Sequence, residues 1–246
     1  MKVSQFLLAM VAFHFFAGEV FAQSKKADAF KVEPSFEAPA GQLFDEAAYL
    51  TGTSVLNQFE NVIVVNKAAT GTSAQTLRMF TNGLEVQLPF NKVSTGKEDV
   101  EIVKGFTKLF RKWGNKKGTT NSHWRHTTKG FYSVKRVEDQ NYQSGESQFH
   151  MPYAIFFNDI NGLALHEVPW EFSAGGHEML GNRASSGCVR VHKDTIPGIN
   201  EAVKASGKGI VPVINTKTGL QEIDASGNLK TQNGFKSIVI VQEVND

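Results

Sequence analysis

Short runs of β-branched and aromatic residues, cut apart by turn residues, limit this chain to a fold built mainly from strands. Asn61-Val62-Ile63-Val64-Val65-Asn66 carries side chains that pack well on a pleated surface. Gln75 to Phe80 and Leu84 to Leu88 flank Asn82-Gly83, a pair that accepts the positive φ angles of a two-residue hairpin turn. Gly130–Val134, Met151–Phe157 and Leu163–His166 read as further strands, and Ile210–Ile214 and Ser237–Val241 as the closing ones. With 22 glycines in 246 residues, turns between them are easily made. The fold class is therefore mainly β with a few helices.

Three segments break this pattern. Leu43 to Leu50 suits a short helix. Asp194 to Ala205 suits a longer one, with Asp194 or Thr195 near its start and Gly207 past its end. Between residues 98 and 125, Ile102, Phe106, Leu109, Phe110 and Trp113 recur at spacings near three and four, which predicts an amphipathic helix. Its other face carries Lys104, Lys108, Arg111 and Lys112, with Lys116 and Lys117 following. Such a face is ordinarily just solvated; its sharper reading is a cap that draws an anionic polymer toward a groove. Residues 167–184, with Gly175, Gly176 and Gly181, are loop-like.

The first residues set the compartment. Met1-Lys2 precedes an apolar run from Phe6 to Phe16, and Val20-Phe21-Ala22 offers a cleavage site, so residues 1–22 are expected to be a signal peptide. The run is shorter than the ~20 residues a spanning helix needs. No later segment is long and apolar enough to cross a bilayer, so stable membrane insertion is not expected. A net charge of +2 names no polyanionic partner, and nucleic acid is not expected. Residues 23–58 read as a lead-in, 59–215 as one core-bearing domain with the insertion 98–125, and 216–246 as a C-terminal extension with one strand. A monomer is the expectation.

Cys188 is the only cysteine, an unusual economy for an exported chain, where cysteines are normally paired. It is either a buried structural residue or a reactive one. Its setting, Ala184-Ser185-Ser186-Gly187-Cys188-Val189-Arg190, favours reactivity. Small residues ahead of the thiol let backbone N–H groups face a developing oxyanion, worth ~3–4 kcal/mol per donor. Arg190 adds a positive charge and, in a strand, faces the same side as Cys188. A thiol also needs a base. His166, 22 residues upstream, ends an apolar strand-like run that can aim it. His177 lies within the glycine-rich loop and is the lesser candidate; His192 follows the cysteine by four.

The Ser185–Arg190 run with His166 upstream resembles the signature of the L,D-transpeptidase catalytic-domain family. The resemblance extends, in order, over Gln75–Gly83, Ser94-Thr95-Gly96-Lys97, Thr127-Thr128-Lys129-Gly130-Phe131-Tyr132 and Met151–Ile155, and so spans roughly residues 60–215. Ser186 stands where the family usually has His, and Thr128 where it has Pro. The resemblance implies a β-sandwich or barrel-like domain and an exported, periplasmic or cell-wall-associated enzyme of peptidoglycan biosynthesis, acting in cell wall organisation and cell shape and open to carbapenems. It implies that Cys188 attacks the bond before the terminal D-alanine of a donor tetrapeptide stem. His166 would be its base, Ser185 and Ser186 motif residues, and the N–H groups of Gly187 and Cys188 oxyanion donors. Arg190 would orient the motif or hold a carboxylate. An acceptor amine would resolve the thioester; water in its place would make a carboxypeptidase. No cofactor and no metal are implied. A papain-like hydrolase is disfavoured because it would place its His after the cysteine. A catalytically silent wall-binding module is the alternative from another class.

Overall fold

The computed structural model describes residues 36–104, 120–144, 149–158, 161–172 and 175–246, excepting the side chains between 100 and 124. The chain divides into Met1–Val32 and Glu33–Asp246. The expected signal peptide lies outside the described residues.

Two five-stranded sheets carry the second unit. The first contains β1 (Asn61–Asn66), β2 (Thr76–Thr81), β3 (Leu84–Val86), β7 (Gly130–Ser133) and β14 (Ser237–Gln242), in the order β3-β2-β1-β14-β7. The second contains β4 (Val93–Ser94), β8 (Arg136–Val137), β9 (Ile155–Asn158), β10 (Leu163–Glu167) and β11 (Val189–Val191), in the order β4-β11-β10-β9-β8. Side chains alternate between the two faces of each strand. Ile63, Val65, Leu77, Met79, Val239 and Val241 of the first sheet meet Val93, Ile155, Phe157, Leu165, Val189 and Val191 of the second in one core.

The opposite face of the first sheet is covered as well. Val62, Val64, Ile238 and Ile240 pack against Phe44, Tyr49 and Leu56 from the lead-in and against Phe59 just after it. Hence every residue of β1 is buried, and between Asn61 and Asn66 its sequence is a continuous apolar run rather than an alternating one. Asp45 caps α1 (Glu46–Leu50) by accepting from the Ala48 N–H, which places Tyr49 in this second core. A second helix, α2 (Ile196–Ser206), has Pro197 in its first turn and ends at Gly207; it buries Ile196, Ile199 and Val203. The predicted hairpin is present, with Asn82 at φ 50 and Gly83 at φ 83 joining β2 to β3.

The structure corrects several expectations. The amphipathic helix drawn through 98–125 is contradicted at both ends. β5 (Asp99–Lys104) pairs antiparallel with β6 (Thr120–Arg125), bringing Val100 opposite Trp124. Val100, Ile102 and Val103 are β-branched and lose rotamer freedom in a helix; their pairing partner, some twenty residues on, is invisible to a local period. Residues 105–119 lie outside the described residues. Of the run Met151–Phe157 only Ile155–Phe157 lies in a strand, β9, which ends at Asn158, because Pro152 cannot donate to a ladder and Tyr153 sits at φ 57. The C-terminal segment supplies two strands, not one. β13 (Thr231–Phe235) pairs with β12 (Lys208–Pro212), while β14 runs parallel to β1 between it and β7. It is therefore a central part of the sandwich rather than an extension of it.

Ile240 is fully buried in β14. Ile240→Ala should cost about 2–5 kcal/mol, read as a lower midpoint in urea denaturation.

Candidate active site

Cys188 is the residue before β11, and His166 is the fourth residue of β10. The two strands are parallel and neighbouring, with Leu165 opposite Val189 and His166 opposite Arg190. Leu163, Leu165, Val189 and Val191 point into the sandwich core. By alternation Ala164 and His166 on β10, and Cys188 and Arg190 beside them, share the outer face. The structure thus brings the predicted nucleophile, base and cation together, with His166 and Cys188 as diagonal neighbours across the strand pair.

Hydrogen bonds define the state of the pair. The His166 Nδ1 lies 2.6 Å from the Glu167 carbonyl oxygen. A carbonyl accepts only, so Nδ1 carries the proton and Nε2 keeps its lone pair. His166 is buried, and burial lowers its pKa to about 4; the Glu167 carbonyl works against this and the Arg190 charge with it. At neutral pH the ring is an uncharged acceptor. Cys188 is half-buried and packs against the cluster of Met151, Ala154, Phe156 and Ala164. Its sulfur donates to the Gly162 carbonyl at 3.5 Å. This burial pushes the thiol upward, opposed by a backbone hydrogen bond with Ala164 and by the charge of Arg190. No hydrogen bond joins the two residues directly. The resting pair is neutral thiol and neutral imidazole.

The motif ahead of the thiol is built rigidly. Ser185 is buried, and its Oγ donates to the Cys188 carbonyl while accepting from the Gly187 N–H at 3.0 Å. Ser186 is exposed. Gly187 stands at φ 126, in a region only glycine occupies readily, and a Cβ there would lie 3.0 Å from the His126 carbonyl oxygen. Since the Gly187 N–H is already engaged by Ser185, of the two expected oxyanion donors Cys188 N–H is the better placed. Arg190 lies over the Phe172 ring at 5.2 Å. His177 is not beside the thiol: it packs edge-on to His192 at 4.8 Å, and His192 stacks on Phe90 at 3.8 Å. These three line a cleft of about 530 Å³ together with Arg78, Glu85 and Lys92. Among the described residues no group of three or more His, Cys, Asp or Glu could hold a metal ion.

Support for the motif comes from residues to which the sequence reading gave no role. Gln75, fully buried at φ 51, accepts from the Thr95 N–H at 2.8 Å and donates to the Lys67 and Ala68 carbonyls. This fixes Ser94-Thr95-Gly96, and Thr95 in turn accepts from the N–H groups of Ala184 and Ser185, both at 2.9 Å. Thr127 reaches the motif from the other side, its hydroxyl 2.6 Å from the Gly187 carbonyl oxygen. Both segments belong to the ordered runs of the resemblance, which is the signal that pointed to them.

A family model described as YkuD, L,D-transpeptidase catalytic domain, matches residues 60–214. Among solved structures the chain is similar to an L,D-transpeptidase from Mycobacterium tuberculosis H37Rv, with 18% identity over 75% of this chain and 58% of that one, at TM-score 0.41. It is also similar to residues 123–326 of the L,D-transpeptidase from Xylanimonas cellulosilytica DSM 15894, with 18% identity over 74% and 60% of the two chains, at TM-score 0.38. An L,D-transpeptidase from Mycobacterium smegmatis aligns with 12% identity over 75% of this chain and 59% of its own, at TM-score 0.38. The chain spans less than two thirds of each of these three. No curated protein matches it.

Two outcomes follow from this geometry. Gly187→Ala should lower the thermal midpoint and slow alkylation of Cys188, both read on the purified protein, because the new methyl group cannot keep the present loop. His166 titrates near 4 folded and near 6.5 when exposed. Its contribution to stability is whole above about pH 6.5 and falls as pH drops toward 4, by about 3 kcal/mol in total. A His166→Gln variant should show a shallower loss over that window in denaturation midpoints.

Proposed function

The chain belongs to the L,D-transpeptidase catalytic-domain family, and from that premise we propose that it is an exported cysteine acyltransferase that remodels peptidoglycan stem peptides. The observation that carries this reading is the shared outer face of β10 and β11. It holds the chain's one thiol, a neutral imidazole with a free Nε2 lone pair, and the Arg190 charge in adjacent positions.

The Cys188 sulfur attacks the carbonyl before the terminal D-alanine of a donor tetrapeptide. His166 Nε2 takes the thiol proton as the C–S bond forms, and the carbonyl oxygen becomes an oxyanion facing the Cys188 N–H. Because the resting pair is uncharged, proton transfer accompanies attack rather than preceding it. His166 then gives the proton to the departing amine of D-alanine, leaving a thioester. An acceptor amine attacks that thioester, returns a proton through His166 and regenerates the thiol. If water attacks instead, the product is a trimmed tripeptide, and the enzyme is an L,D-carboxypeptidase. Arg190, held over Phe172, offers its charge to a stem carboxylate. None of the described helices is long and apolar enough to cross a membrane. The expected setting is periplasmic or wall-associated, reached through a cleaved signal peptide, with the enzyme acting as a monomer.

Incubation of the mature protein with tetrapeptide muropeptides, followed by mass spectrometry, tests this. The wild type should release D-alanine and Cys188→Ala should not; unchanged substrate with the wild type would favour the silent wall-binding module. The dependence of kcat/KM on pH should show its acid limb near 4, where His166 takes a proton, rather than near 6.5.

A further inference from the structure

A buried ionic cluster lies directly behind the motif. His126 is gripped through Nδ1 by Glu98 and through Nε2 by Glu37. Burial works against a proton on this ring, but the two carboxylates outweigh it and raise its pKa. Lys67, almost wholly buried, pairs with Glu98 at 2.8 Å. Lys129 faces Glu37 at 3.6 Å and Glu243 at 3.7 Å, and Arg183 closes the cluster on Glu243.

All of this converges on one residue. Thr127 has no exposed surface. Its N–H donates to Glu98 Oε1 at 3.2 Å, and its carbonyl accepts from Lys67 Nζ at 2.6 Å. Its hydroxyl accepts from the Gly96 N–H at 2.8 Å and lies 2.6 Å from the Gly187 carbonyl oxygen. The Gly187 carbonyl can only accept, so the hydroxyl proton points at it.

The consequence lies in the next atom pair. The Gly187–Cys188 peptide is trans, since the described residues contain no cis bond, and it is planar. Its C=O and N–H therefore point in opposite directions. Tying the carbonyl to Thr127 fixes the direction of the Cys188 N–H away from the protein interior that holds Thr127. We propose that Thr127 is a positioning residue that aims the Cys188 N–H as an oxyanion donor, and that the His126 cluster exists to hold Thr127 still. The proposal rests on the reading that Cys188 is acylated, but not on which stem peptide it takes.

The test separates acylation from alkylation at the same sulfur. Acylation by p-nitrophenyl acetate passes through an oxyanion; displacement of iodide from iodoacetamide does not. Both rates are measured as mass shifts on the intact protein, with Cys188→Ala as background. In Thr127→Val, which keeps shape and loses the hydroxyl, acylation should fall by about a hundredfold, the lower end for losing one such donor. Alkylation should stay within a few-fold of wild type, and Thr127→Ser should restore acylation. Thr127→Ala serves the same comparison if valine unfolds the chain, as judged by thermal melting. Equal losses in both reactions would make Thr127 merely structural, and wild-type acylation in the valine variant would equally overturn the proposal. A wild type that acylates with the ester but leaves muropeptides untouched would reject the proposed substrate without touching this role.

Discussion

The parallel pairing of β10 with β11 is the constraint on which the site depends. It sets His166 opposite Arg190 and leaves Cys188 at the mouth of the same pair. Side chains in a strand alternate with period two, so a slip of one residue would carry His166 into the sandwich core and bring Leu165 out. That slip is prevented by the core itself, because Leu163, Leu165, Val189 and Val191 are all buried on the inner face. The aliphatic packing between the sheets is therefore what aims the chemistry on the outside.

Burial then sets the charge states. The imidazole is drained of basicity and the thiol held protonated by the same loss of water. Charges that the fold does bury are paired, as Lys67, Glu98, His126 and Glu37 are. The molecule thus keeps two kinds of buried polar group close together: a neutral pair at the thiol, and an ionic cluster one layer behind it. Thr127 joins them through a hydroxyl that touches both Gly96 and Gly187.

Much of this was legible in the sequence, for identifiable reasons. The Asn82-Gly83 turn, the run from Asn61 to Asn66 and the helix before Gly207 each carry a local signal, and each is present. Cys188 and Arg190 could be placed on one face because strand alternation is local and the motif is short, whereas His166 joins them only through the pairing of β10 with β11. What escaped depends on distant partners. β5 and β6 find each other across some twenty residues, and a chance helical period masked them. β14 reads as a late strand, but nothing local says that it enters the sheet beside β1. The polar cluster is drawn from Glu37, Lys67, Glu98, His126 and Lys129, positions with no common spacing. The engagement of Gly187 N–H by Ser185 needs the loop's actual turn, with Gly187 at φ 126, which a motif alone does not give.

The most direct measurement is the rate at which a carbapenem acylates Cys188 at neutral pH, read as a mass shift on the intact protein, in the wild type and in His166→Ala. If the neutral imidazole is the base, the wild type should take one adduct on Cys188 and the variant should react slower by about a hundredfold or more. Equal rates in the two proteins would show that the thiol reacts without its neighbour and would contradict the account.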